Sequence, residues 1–217
     1  MKRILTIVLS VLVILAGFVA CVGENDDPGS NGGDAGQNAP QDATQTVYEK
    51  LNELSSRQYD QILLTVTTTT GGTVLKADYN MTADRVVYAV EQLNELQIDG
   101  QFEDTPPPYK RTVNGTAVVK NGEIVKVNED AVNLPAYREM KGAFHFAAGY
   151  LDDLTVESGR MTAGISDVSS FLGTDKTMDH ASITVIYNDA AFEEITIHYE
   201  VGTTEVVAVY RFENHSS

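Results

Sequence analysis

The side chains able to do chemistry in this chain of 217 residues are few and scattered. Four histidines are present: His145 between Phe144 and Phe146, His180 after Asp179, His198 between Ile197 and Tyr199, and His215 in the tail. None has the spacing that sets two imidazoles on one helix face toward a metal ion, so no metal site is expected. The acid pairs Asp152-Asp153 and Glu193-Glu194 are sequence neighbours, and neighbours on a strand point to opposite faces and cannot share a substrate. There is no nucleophile elbow, phosphate-binding glycine loop or dinucleotide fingerprint. The expectation is therefore no enzyme and no cofactor, with a hydrolase centred on His145 or His198 ranked last. Oxygen-rich stretches at Asn128-Glu129-Asp130 and from Asp99 to Asp104 lack the spacing of an EF-hand loop. The N-x-S/T triplets at Asn80, Asn114 and Asn214 read as chance occurrences in a threonine-rich chain.

The remaining reactive side chain is Cys21, the only cysteine, which excludes a disulfide within the chain and any cysteine-based zinc site. Lys2 and Arg3 precede an apolar run from Ile4 to Val22 that is broken only by Thr6, Ser10 and Gly17, the pattern of a secretory signal. Its end, Phe18-Val19-Ala20-Cys21, resembles the lipobox of bacterial lipoproteins, with Phe18 where leucine is usual. That resemblance implies cleavage after Ala20 and a diacylglycerol anchor on Cys21. The alternative is an uncleaved anchor, since 19 mostly apolar residues are enough to span a bilayer. Either way the expected location is the extracytoplasmic face of the cell membrane. The formal charge of −16 becomes −18 once residues 1 to 20 leave, because 13 Lys and Arg then stand against 31 Asp and Glu. Nucleic acid and anionic lipid surfaces are poor partners for such a chain, and no protein partner can be read from it.

From Gly23 to Ala43 the composition is polar and without periodicity, which reads as a tether for a single folded domain over 44–217. Val47, Leu51 and Leu54 then recur at helical spacing, and Asp42 with Gln45 resembles a capping box, so a helix is expected over about 43–57. Beyond it the period changes to two. Ile62, Leu64 and Val66 alternate on a first strand, Gly71-Gly72 turns the chain, Leu75 to Met81 form a second strand, and Val86 to Val90 form a third after Ala83-Asp84. Asn94 to Pro108 reads as loop or edge because of its prolines. Asn121-Gly122, between Ala117–Lys120 and Glu123–Val127, specifies a tight hairpin. Phe144 to Phe146 shows a short strand pattern, and Arg160 to Ile165 a longer one. Ser166 is expected to cap a short helix through Leu172, closed by Gly173. Three strands follow: Ser182 to Tyr187, Glu194 to Val201 and Glu205 to Phe212. The fold class expected is α+β, a mainly antiparallel, curved, half-barrel-like sheet of about eight or nine strands. Shifting the first meander by 120 residues lays Leu75 on Ile195, Tyr79 on Tyr199, Val86 on Val206 and Val87 on Val207, which raises a duplicated unit as one reading.

Two strands are apolar on both faces: Val86, Tyr88 and Val90 against Val87 and Ala89, and Val206, Ala208, Tyr210 and Phe212 against Val207 and Val209. Both faces are therefore expected to be covered. So few helices leave room for a cavity lined by Tyr88 and Tyr210, with loops or a partner chain as the other source of cover. A lipobox, a polar tether, an amphipathic helix and long antiparallel strands resemble the lipoprotein-carrier half-barrels of bacterial envelopes, the LolA- and LprG-like group. The body is also similar to uncharacterised secreted lipoproteins of Gram-positive bacteria. The carrier resemblance implies a curved sheet closing with helices around a lipid-binding cavity, and it implies no particular site residue. The leading expectation is thus a membrane-tethered lipoprotein of non-enzymatic binding type holding a lipid or other apolar small molecule. The alternative is an envelope structural or interaction module with a filled core.

Overall fold

The computed structural model describes residues 39–94, 109–127, 134–172 and 178–214. Helix α1 (Ala39–Ser55) leads into a ten-stranded antiparallel sheet. Its strands are β1 (Gln61–Thr70), β2 (Thr73–Met81), β3 (Arg85–Asn94), β4 (Tyr109–Lys120), β5 (Glu123–Val127), β6 (Leu151–Glu157), β7 (Arg160–Ile165), β8 (Asp179–Tyr187), β9 (Phe192–Val201) and β10 (Thr204–Glu213). Two short helices, α2 (Tyr137–Met140) and α3 (Val168–Leu172), interrupt the second half. The class is α+β, with a curved sheet that does not close.

Strand order is β5-β4-β3-β2-β1-β10-β9-β8-β7-β6, so two five-stranded meanders meet where β1 pairs β10 from Gln61↔Glu213 to Thr70↔Thr204. The triplets β3-β2-β1 and β10-β9-β8 lie side by side in the same lateral order, with equivalent strands running in opposite directions because β1 and β10 pair antiparallel. The 120-residue shift superposes buried Tyr79 on buried Tyr199 and buried Val86 on buried Val206. It throws β1 out of phase with β8, since buried Leu64 falls on Thr184, whose buried neighbours are Ile183 and Val185. The hairpin at Asn121-Gly122 forms with φ of 54° and 78°, the left-handed pair that a two-residue turn between twisted strands requires.

Several expectations are corrected. The sheet has ten strands rather than eight or nine, Leu151–Glu157 adding β6 at its edge. Helix α1 starts at Ala39, inside the stretch read as tether, with Pro40 in the first turn where its missing N–H costs nothing. The capping box does not form, because Asp42 lies within the helix and Gln45 donates to Glu49 Oε1 at 3.1 Å. Ser166 does not cap α3. Asp167 does, its Oδ1 accepting from the Ser170 N–H at 2.9 Å and its Oδ2 from the Ser170 hydroxyl. Phe144 to Phe146 is irregular backbone rather than strand.

The second face of the sheet is not covered among the described residues. Inner positions such as Leu64, Val86, Ile195 and Val206 are at most 1% exposed, whereas Val87 on the outer face is 45% exposed. Val207 and Val209 are half-buried among polar neighbours. The outer face carries the pairs Lys76–Asp78 at 2.8 Å, Arg211–Glu194 at 3.1 Å and His198–Glu205 at 2.9 Å, with Thr65 donating to Asp78 at 2.7 Å. This is the ordinary antiparallel arrangement, one face packed and one solvated. Valine sits on the wet face because β-branched side chains favour extended backbone whether or not they are buried.

Candidate functional site

The inner face is built in cross-strand rows. One row runs Gly115, Tyr88, Tyr79, Leu64, Tyr210, Ile195, Val185 and Met161 from β4 to β7. Tyr88 and Tyr210, the residues expected to line a cavity, thus share one row with Tyr79 and Leu64 between them. Tyr88 is 2% exposed and its ring lies across Gly115, where a Cβ would fall 2.2 Å from the tyrosine hydroxyl. Tyr210 is 3% exposed and meets Phe144 edge-on at 5.5 Å between centroids.

Over this row lie α1, with Tyr48, Leu51 and Leu54 buried, and a largely irregular cover from Leu134 to Tyr150. The cover buries Tyr137, Met140 and Phe146, and Phe144 stacks on Phe171 of α3 at 5.3 Å. It is fastened mainly by side chains. The Asn52 amide donates to Phe146 O at 2.7 Å and accepts from Phe146 N–H at 2.8 Å, as a neighbouring strand would. Ser55 donates to Phe144 O at 2.7 Å, and the Tyr137 hydroxyl donates to Thr82 O. Phe144 and Phe146 alternate as in a strand because Asn52 supplies the pairing that a strand would supply.

Glu139, in α2, is the feature that sequence patterning missed. Both carboxylate oxygens are buried and no side chain pairs with them, the Ala136 backbone N–H being the polar group that acts on them. Burial pushes the carboxyl up to about 7, and the field of the Ala136 amide offsets only part of this. Glu139 stands within electrostatic reach of the row, since burial and then the charges of Tyr199, Glu139 and Tyr79 act on the Tyr210 hydroxyl. Desolvation raises all three phenols above their ordinary value, Tyr199 to about 12, so they remain neutral donors and acceptors at any physiological pH. No sequence signal marks Glu139, which lies in a helix of four residues.

A pocket of about 180 Å³ opens where the end of α1 meets the cover and the sheet. Neither Tyr88 nor Tyr210 lines it. Tyr59, Ile62, Phe192 and Phe212 supply its apolar wall, and Arg57 and Lys141 its charges. Tyr59 is locked in place, donating to Leu54 O at 3.1 Å and accepting from Phe192 N–H at 3.0 Å. Its ring lies 4.7 Å from Phe212, and Phe192 lies 5.4 Å from Phe212.

Of the other candidates, His198 sits on the outer face with Glu205, and His145 is exposed with its ring 6.2 Å from Tyr150. Asp152 and Asp153 are both exposed at an irregularity of β6, where Asp153 has φ of 49°. Glu193 and Glu194 are spent on Asn188 and Arg211. No cluster of three or more His, Cys, Asp or Glu is placed to hold a metal among the described residues. Cys21, the signal-like segment, His215, Gly173 and both oxygen-rich stretches lie outside the described residues. No family model matches the chain, and no curated protein matches it in sequence.

Proposed function

We propose that this chain is a non-enzymatic binding protein of the cell envelope, tethered through Cys21 at the extracytoplasmic face of the membrane. Its ligand is an apolar molecule, such as a lipid, taken up between the inner face of the sheet and the 134–150 cover. The observation that carries this reading is the nature of that cover. Beside α1, the layer over the tyrosine row is completed by an irregular segment pinned by the side chains of Asn52, Ser55 and Tyr137. Such a layer can be displaced without breaking the sheet, because local openings select the regions with the fewest regular backbone bonds. Ligand entry requires that displacement, since the 180 Å³ pocket is smaller than the roughly 300–1,000 Å³ typical of small-molecule sites.

That same volume favours a second reading, an envelope structural or interaction module with a filled core. Native mass spectrometry of the full chain, purified in detergent and followed by organic extraction, separates the two. The binding protein carries a stoichiometric lipid beyond any covalently attached one, and Tyr210→Leu lowers its occupancy. A bare mass, unchanged when membrane lipids are added back, overturns the binding reading and leaves the filled module.

A further inference from the structure

The pocket at the end of α1 has a chemistry that the tyrosine row lacks. In a chain of net charge −16, its lining contains Arg57 and Lys141 and no carboxylate. Arg57 is partly committed, donating to Ala190 O and pairing with Glu53, which Lys50 also approaches at 3.9 Å. Lys141 is not. Its ammonium stands 5.6 Å over the Tyr137 ring, and among the described residues no carboxylate lies within ion-pair distance of it. The rings of Tyr59, Phe192 and Phe212 line the same pocket and pack against one another. The pocket is open as it stands and needs no movement of the cover.

We propose that this pocket is a second binding site, for a small carboxylate whose apolar part is about the size of one ring. Size follows from volume, since a cavity of roughly 150 Å³ holds benzene and this one has about 180 Å³. Sign follows from the lining, where a carboxylate gains a charge-assisted hydrogen bond from Lys141 and displaces no acid. Orientation follows from both: ring against Phe212 and Phe192, carboxylate outward at Lys141. The proposal does not depend on ligand uptake beneath the cover, and each can fail without the other.

The test uses the full chain in lipid nanodiscs, with phenylacetate as probe, its neutral analogue 2-phenylethanol as comparison, and empty nanodiscs as background. Binding is read by saturation-transfer NMR and calorimetry. Phenylacetate is expected to bind about tenfold more tightly than 2-phenylethanol, and Lys141→Glu is expected to remove that preference while leaving 2-phenylethanol binding intact. Retained alcohol binding shows that the variant keeps its fold and its aromatic wall. Equal binding of the two probes to the unaltered chain, or a preference that survives Lys141→Glu, overturns anion recognition. Absence of binding by either probe overturns the site. Octanoate in a parallel titration distinguishes the source of the carboxylate: binding tighter than phenylacetate points to fatty acids, weaker binding to aryl acids.

Discussion

Replacing Glu139 by glutamine should change the way stability depends on pH, and the sign can be worked from the structure. Burial raises the folded-state carboxyl to about 7 from an ordinary 4.5, against the opposing pull of the Ala136 backbone N–H. The folded protein therefore binds this proton more tightly than the unfolded chain does. By linkage the stabilising contribution is fully present below about 4.5 and is lost as pH rises through about 7. Taken at face value the shift corresponds to roughly 3 kcal/mol at 1.36 kcal/mol per unit. The residue as a whole is only half-buried, so water screens part of the effect and about 1–2 kcal/mol is the reasonable expectation. Urea unfolding at pH 5 and at pH 8 measures it. The Tyr79, Tyr199 and Tyr210 phenols stay neutral across this window. Asp78, whose carboxyl is held low by Lys76 and Thr65 against an opposing desolvation, changes only in more acidic solution. The histidines are common to both proteins and cancel in the difference. The unaltered chain should lose about 1–2 kcal/mol more than Glu139→Gln between pH 5 and pH 8. Equal losses in the two proteins would refute the assignment of a buried, proton-binding Glu139.

Other perturbations test the remaining parts. Asn52→Ala removes both bonds to the Phe146 backbone and leaves a part-buried N–H and carbonyl unmatched, at a cost of about 1–3 kcal/mol in urea unfolding. Faster hydrogen exchange in that variant should concentrate in 134–150 and spare β1 and β10. Gly115→Ala places a Cβ 2.2 Å from the Tyr88 hydroxyl in a packed interior and should destabilise by about 1–3 kcal/mol, most of it recovered in the Gly115→Ala/Tyr88→Val double variant. Cys21→Ser should abolish an acyl mass increment on the mature chain; an intact mass that never included one would favour an uncleaved anchor.

The sheet was readable wherever burial and alternation coincide. Ile62, Leu64 and Val66 on β1 and the Asn121-Gly122 turn are local signals, and each element follows from residues adjacent in sequence. Strand β6 was not readable because Asp152 and Asp153 are both exposed at an irregular pairing, which breaks the period of two. The uncovered outer face is not legible in the sequence for a different reason. Val87, Val207 and Val209 answer to backbone preference, and a pattern of apolar residues does not report which side meets water. Tyr88 and Tyr210 could be picked out singly, but their common row with Tyr79 depends on three registers that no single strand encodes. The second pocket is less legible still, since residues 55–62, 141–143, 192 and 212 meet only after the sheet and the cover have formed.

The composition of the buried layer bears on the choice between carrier and filled module. A sheet interior selected for stability alone is best served by aliphatic and phenyl groups, as in the neighbouring row Val90, Ala77, Val66, Ala208, Ile197 and Ile183. Phenol and carboxyl groups there add a desolvation cost that packing does not return. In this chain Glu139 of the cover stands within electrostatic reach of Tyr210 of the sheet, as do Tyr199 and Tyr79. Part of that cost thus falls at the junction between the displaceable layer and the fixed one. A cover weakened there, and fastened by side chains of α1 at its other side, has a smaller free-energy gap between closed and open than an all-apolar cover of the same area. That smaller gap favours a binding protein over a permanently filled module, and it ties uptake to the protonation of Glu139: ligand entry should be faster at pH 8 than at pH 5. Stopped-flow uptake of a fluorescent fatty acyl probe by the full chain measures this directly, and a rate independent of pH would detach the carboxyl from the opening of the cover.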